Sequence, residues 1–138
     1  MDPPYFPMPQ SVPAGMRLEL SKGKLLPNSE TSVSEWMEWQ HQKYEQLQQG
    51  LGVERAVFES TFLHEDEGGT RWIYHLQLIG DDSQGLDTTN PLGAKVQEFA
   101  MRSKESGWVE MQPVFLIASP EILVSMQTWL ERQRQTLH

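Results

Sequence analysis

Two runs of alternating side chains, residues 53–63 and 70–79, flank the cluster Glu65, Asp66, Glu67, Gly68 and Gly69. Alternation at period two predicts strands, because successive side chains on extended backbone point to opposite faces. The charged, glycine-containing cluster between them supplies the positive-φ residues of an exposed turn, so the two strands are expected to be adjacent and antiparallel. In the first run Ala56, Phe58, Ser60 and Phe62 share one face, and Val57, Glu59, Thr61 and Leu63 the other. In the second, Trp72, Tyr74, Leu76 and Leu78 oppose Ile73, His75 and Gln77.

Around this hairpin the remaining elements fall into order. Met16, Leu18 and Leu20 alternate with Arg17 and Glu19, which predicts a first strand at 16–20. Ser32 and Glu35 stand at capping-box spacing, and Val33, Trp36, Met37, Tyr44, Leu47 and Leu51 recur at helical spacing. One helix is therefore expected to about residue 49, with Gly50 and Gly52 as left-handed caps. Asn90 followed by Pro91 predicts a capped second helix striped by Leu92, Val96, Phe99 and Ala100, with Gly107 near its end. Residues 108–118 are rich in strand formers, although Pro113 restricts them to an edge or a bulge. Ser119, Pro120 and Glu121 then open a final amphipathic helix through Ile122, Leu123, Met126, Trp129, Leu130 and Leu137.

The expected fold class is α+β, a ferredoxin-like βαββαβ antiparallel sheet with an added C-terminal helix. Residues 1–15 hold Pro3, Pro4, Pro7, Pro9 and Pro13 and read as a proline-rich arm, in which Tyr5 and Phe6 are docking candidates; residues 16–138 read as a single α+β domain. Right-handed crossovers put both main helices on one face. The more apolar alternation, through Leu18, Leu20, Phe58, Phe62, Tyr74, Leu76 and Leu78, is expected beneath them. The bare face would then carry Arg17, Glu19, Glu59, Thr61, His75 and Gln77, joined by Glu110 and Gln112, with Val57, Leu63, Ile73 and Ile79 as an apolar rim. Two such faces meeting would enclose a cavity, so a homodimer is favoured.

Composition narrows the partners. Eleven basic against nineteen acidic residues give a net charge of −8, which argues against nucleic acid and against an anionic membrane surface. With no cysteine, disulfides, thiol nucleophiles and thiolate metal sites are excluded. No apolar run has the length of a membrane span and no secretory pattern opens the chain, so the cytoplasm is the expected location.

Glu59 and His75 are the candidates for proton chemistry, since desolvation would raise the carboxyl while the anion would raise the imidazole. An exposed cross-strand ion pair is the plainer reading of the same two residues. Glu59, His75, Gln77, Arg17 and Glu19 form the expected ligand-binding set, with catalytic residues unassigned. No spacing links His41, His64, His75 and His138; His41 and Glu45 stand four apart, but this reads as a solvated helix face, and no metal or cofactor is expected. Phosphate-loop, HExxH and GxSxG patterns are all missing.

The segments SVSEWMEWQ, VERAVFESTFL and TRWIYHLQL, within residues 16–118, resemble a small uncharacterised family of the dimeric α+β barrel superfamily. That superfamily includes antibiotic-biosynthesis-type monooxygenases, muconolactone-isomerase-like proteins, haem-degrading relatives and stress-responsive barrels. The resemblance implies facing sheets around a small, partly apolar molecule; haem at His75, or cofactor-independent oxygenase chemistry, would follow from it alone. A non-enzymatic interaction domain using the proline-rich arm is the alternative of a different class.

Overall fold

The computed structural model describes residues 6–136; Pro3, Pro4, Tyr5, Leu137 and His138, named above, lie outside them. Its sheet is built outward from the expected hairpin. Strands β2 (Ala56–Glu65) and β3 (Arg71–Gly80) pair antiparallel around a turn in which the Asp66 carboxylate accepts from the Thr70 amide at 2.9 Å and from the Trp72 indole at 3.1 Å. β1 (Met16–Lys24) pairs antiparallel with β3, and β4 (Val109–Met111) with β1, giving an antiparallel sheet of order β2-β3-β1-β4. Among the described residues four helices complete an α+β fold: α1 (Glu30–Gln42), α2 (Tyr44–Glu54), α3 (Pro91–Ser103) and α4 (Pro120–Thr136).

Local chemistry explains most boundaries. Asn90 accepts from the Leu92 amide at 2.8 Å with Pro91 at the first helical position, as expected. At α1 the expected capping box does not form: the helix starts earlier, at Glu30, and Ser32 Oγ donates instead to the Ser29 carbonyl at 3.0 Å. The expected single helix is two, broken at Lys43. The left-handed cap falls on Arg55 (φ 59°), not on Gly50 or Gly52. A non-glycine residue there costs about 1–2 kcal/mol. Arg55 is held in place by its guanidinium, which reaches Asp82 at 3.1 Å and the Gln133 carbonyl at 3.2 Å.

Strand four is far shorter than the 108–118 run. In register, Pro113 would oppose Leu18, and a proline has no N–H for the ladder. β4 ends at Met111, and the Leu18 amide donates to Met8 Sδ at 3.3 Å. The arm therefore packs on the body from Met8 onward: Val12 is buried, and Ser11 Oγ accepts from the Leu116 amide at 2.9 Å.

The assignment of faces is corrected. Leu25, Val33, Trp36, Ile73 and Phe99 form one core, in which α1 and α3 pack over the face that carries Ile73, hence over the same face as His75 and Gln77. On the opposite, more apolar face, Met16 and Leu78 are covered by Val12 and by Leu130 of α4, with Leu18 and Phe58 beside them. Ile73 and Ile79 are thus buried residues of the helix-bearing face, not a rim of a bare one. Val57 joins the opposite core because a bulge between Ala56 and Phe58 shifts the alternation there. Within α1, Trp39 packs on Phe99 with ring centroids 5.6 Å apart, whereas Tyr44, expected in the apolar stripe, is exposed.

Candidate functional site

Register brings the expected polar residues together. Glu59, Gln77 and Glu19 lie opposite one another across β2, β3 and β1, and Thr61, His75 and Ser21 form the next row. Gln77 Nε2 donates to Glu19 Oε1 at 2.8 Å, and Glu19 is ion-paired with Arg17. With its amide nitrogen so used, Gln77 presents its carbonyl to His75, and His75 Nε2–H donates to it at 3.3 Å. Glu59 Oε1 lies 3.8 Å from the same nitrogen, too far for a hydrogen bond. The side chains of His75 and Glu59 keep 27% and 30% of their surface exposed, so the row is open to solvent along part of its length although α1 and α3 share its face.

Two residues outside the expected set complete the site. Glu54 ends α2, and its carboxyl hydrogen-bonds Glu59. Reading 53–63 as one strand sends positions 54 and 59 to opposite faces; the left-handed turn at Arg55 folds Glu54 back onto Glu59. Trp108 is the other, its ring centroid 6.3 Å from that of His75. Lys104 holds the turn before it: the buried ammonium donates to the carbonyls of Glu105 at 2.8 Å and Gly107 at 2.7 Å, and lies 4.4 Å from the Trp108 ring centroid. Gly107, with φ +86°, gives that turn a conformation few side chains adopt.

Burial and close approach shift the protonation of the groups around the row. Burial, then the adjacent Glu59 charge and hydrogen bond, push the Glu54 carboxyl up to about 7. Burial also raises Glu59, while the hydrogen bond from Glu54 opposes that rise. Both carboxyls are thus biased toward the protonated form, Glu54 the more strongly. Burial lowers His75, against the raising effects of Gln77, Glu54 and Glu110, which favours the neutral ring. A switchable donor, a carboxylate and a neutral imidazole therefore stand side by side. Beside the Arg17 and Glu19 end lies a cavity of about 10 Å³, also lined by Met8, Glu110 and Pro113, with room for about one water.

Among the described residues no group of three His, Asp or Glu side chains is set to hold a metal ion, and the helix break at Lys43 falls between His41 and Glu45. No described helix is long and apolar enough to cross a membrane. The model of a family of unknown function, DUF6176, matches residues 16–123. No curated protein matches the chain.

Proposed function

We propose, for a chain that belongs to the DUF6176 family, that it binds a small, partly apolar molecule with a hydrogen-bonding head group against the partly exposed row of Glu59, His75 and Gln77. The observation that carries this reading is the gathering of Glu59, His75 and Gln77 in neighbouring rows that stay partly open to solvent, with Glu59 paired, among the described residues, to no cation but the His75 ring; the raised Glu54 and Glu59 carboxyls and the lowered His75 are consistent with it. A wholly structural row would be expected to satisfy its charges with fixed counter-ions, as Glu19 does with Arg17. Glu59 instead faces a carboxyl and an imidazole, groups that can offer or accept a proton as the occupant requires. Trp108 supplies the apolar wall.

The strand order β2-β3-β1-β4 supports reading the fold as ferredoxin-like, with α2 continuing the first crossover. The polar row on the helix-bearing face supports a site within each chain, in place of a cavity between two facing sheets.

Small phenols and aromatic carboxylic acids, followed by chemical-shift perturbation, test the reading. Perturbation is expected to centre on His75, Gln77 and Trp108, and affinity to fall about tenfold or more in Glu59→Gln and in His75→Asn, each of which loses a proton-accepting or donating group. If none of these compounds perturbs the row, or if both folded variants bind them as the parent does, the row is structural.

A further inference from the structure

The sheet has two edges, and only one of them is blunted. β4, at one end of the order β2-β3-β1-β4, is three residues long, whereas β2, at the other end, runs for ten. An open edge strand offers its outward N–H and C=O groups to any other strand, and proteins ordinarily guard against this with a short strand, proline, lysine or a bulge. β2 holds neither proline nor lysine, and its bulge lies between Ala56 and Phe58, after which the ladder with β3 is regular to Glu65. Among the described residues, no backbone group outside β3 bonds to residues 57–65. At the regular end Phe62 and Leu63 are each 52% exposed, one on either face of the sheet.

The side chains of this edge say which strand fits it. Residues 58–62 read Phe-Glu-Ser-Thr-Phe, nearly the same chemistry in both directions about Ser60. Laid antiparallel on itself with a two-fold axis at Ser60, the segment sets Phe58 against the partner's Phe62, Glu59 against the partner's Thr61, and Ser60 against the partner's Ser60. Directly opposed residues share a face. The phenylalanine pairs therefore fall on the α4 side, where Phe58 already packs and Phe62 is left open, and the partner's Thr61 hydroxyl faces the Glu59 carboxyl on the other side. Each off-axis pair occurs twice, as an isologous contact requires. Neighbouring registers are rejected. An axis at Glu59 opposes the two Glu59 carboxyls, one at Phe62 opposes Glu59 to the partner's Glu65, and one at Thr61 sets Glu59 against the partner's Leu63 and breaks both phenylalanine pairs. A palindromic edge is what self-pairing needs and what docking of a different chain does not.

We infer that β2 pairs antiparallel with β2 of a second copy about a two-fold axis at Ser60, joining two four-stranded sheets into one continuous sheet. The polar row of one copy then runs on from Glu59 to the partner's Thr61 and the partner's His75. The pairing uses backbone groups and five side chains, so it holds whether or not the row takes a ligand.

The chain has no cysteine, so a single introduced thiol reports the register. Ser60→Cys should oxidise to a covalent dimer, because directly opposed residues of antiparallel strands stand about 4.5–5.5 Å apart at Cα, within the ~4.4–6.8 Å that a disulfide spans. Leu63→Cys is the control: exposed, but with its two copies six residues apart along the paired strands, on the order of 20 Å, it should stay monomeric on a denaturing gel. In sedimentation the wild type should show a species of twice 15.9 kDa whose share rises with concentration. Phe62→Lys should keep its circular dichroism and weaken self-association about tenfold or more, while Val114→Lys, at an exposed position beyond the other edge, should leave it unchanged. Should Phe62→Lys misfold, the two cysteine variants still decide. A wild type that stays monomeric up to about 1 mM overturns the proposal. Equal cross-linking of Ser60→Cys and Leu63→Cys overturns it too, as does a dimer that survives in folded Phe62→Lys and is lost in Val114→Lys.

Discussion

At the scale of single residues, the position that most shapes the site is Glu54, a carboxyl whose proton depends on folding. Its native value of about 7 lies above the ordinary 4.5, so between those limits the native chain holds more proton than the unfolded chain, and stability falls as pH rises from about 4.5 to about 7. Glu59, also raised, acts in the same sense. His75 acts in the opposite sense: its native value lies below 6.5, so the unfolded chain takes up the proton first and stability is lost as pH falls below 6.5. Glu54→Gln keeps a donor for Glu59 and removes the titration. Urea unfolding at about pH 5 and about pH 8 should show the wild type losing roughly 1–2 kcal/mol more than the variant over that interval, less than the full shift implies because the side chain is only partly buried. Equal slopes would mean that Glu54 is an ordinary surface carboxylate.

Elements were legible in the sequence wherever their boundaries rest on local chemistry. Asn90 with Pro91, Pro120 with Glu121 and the Glu65 to Gly69 turn each carry their conformational reason within a few residues, and each bounds an element as expected. The gathering of Arg17, Glu19, Glu59, His75 and Gln77 was legible for the same reason, since period two fixes which side chains share a face. Which face the helices cover was not. Leu78 and Ile73 are both buried, on opposite sides of one strand, so relative hydrophobicity does not say where α1 and α3 will lie. Glu54 was hidden behind the left-handed Arg55, whose reason is distant in sequence, at Asp82 and Gln133. The α3 element offers a test in which local propensity and packing disagree. Gly93 sits in the first turns of that helix, where replacing glycine by alanine ordinarily gains about 1 kcal/mol. Here an added Cβ would stand 2.0 Å from the Asp87 carbonyl oxygen. Gly93→Ala should therefore destabilise by roughly 1–3 kcal/mol, the cost of overpacking, and a higher melting temperature would show that the 81–90 loop does not hold α3.

The whole molecule is one sheet with a core on each side, and β3 belongs to both. Ile73 is enclosed by Leu25, Val33, Trp36 and Phe99; Leu78, five residues on, is enclosed by Val12, Met16 and Leu130. Neither core alone is large, and each is closed by a different set of covers. α4 is fastened at its far end by Arg134, which donates to the Gly15 carbonyl at 3.0 Å and to Asp82 at 3.0 Å, holding the Asp82 carboxyl down to about 2. Phe99→Ala should cost about 3–5 kcal/mol and Leu130→Ala about 2–5 kcal/mol, because each empties a buried site. Since the two side chains share no partner across the sheet, the losses in the double variant should add to within about 0.5 kcal/mol. Shared use of β3 further requires that either single variant unfold in one transition, with near-ultraviolet and far-ultraviolet circular dichroism coincident in urea. If Leu130→Ala instead releases α4 in a separate early step while the Trp36 and Phe99 core persists, the two faces are independent units, and the sheet does not transmit the loss of one core to the other.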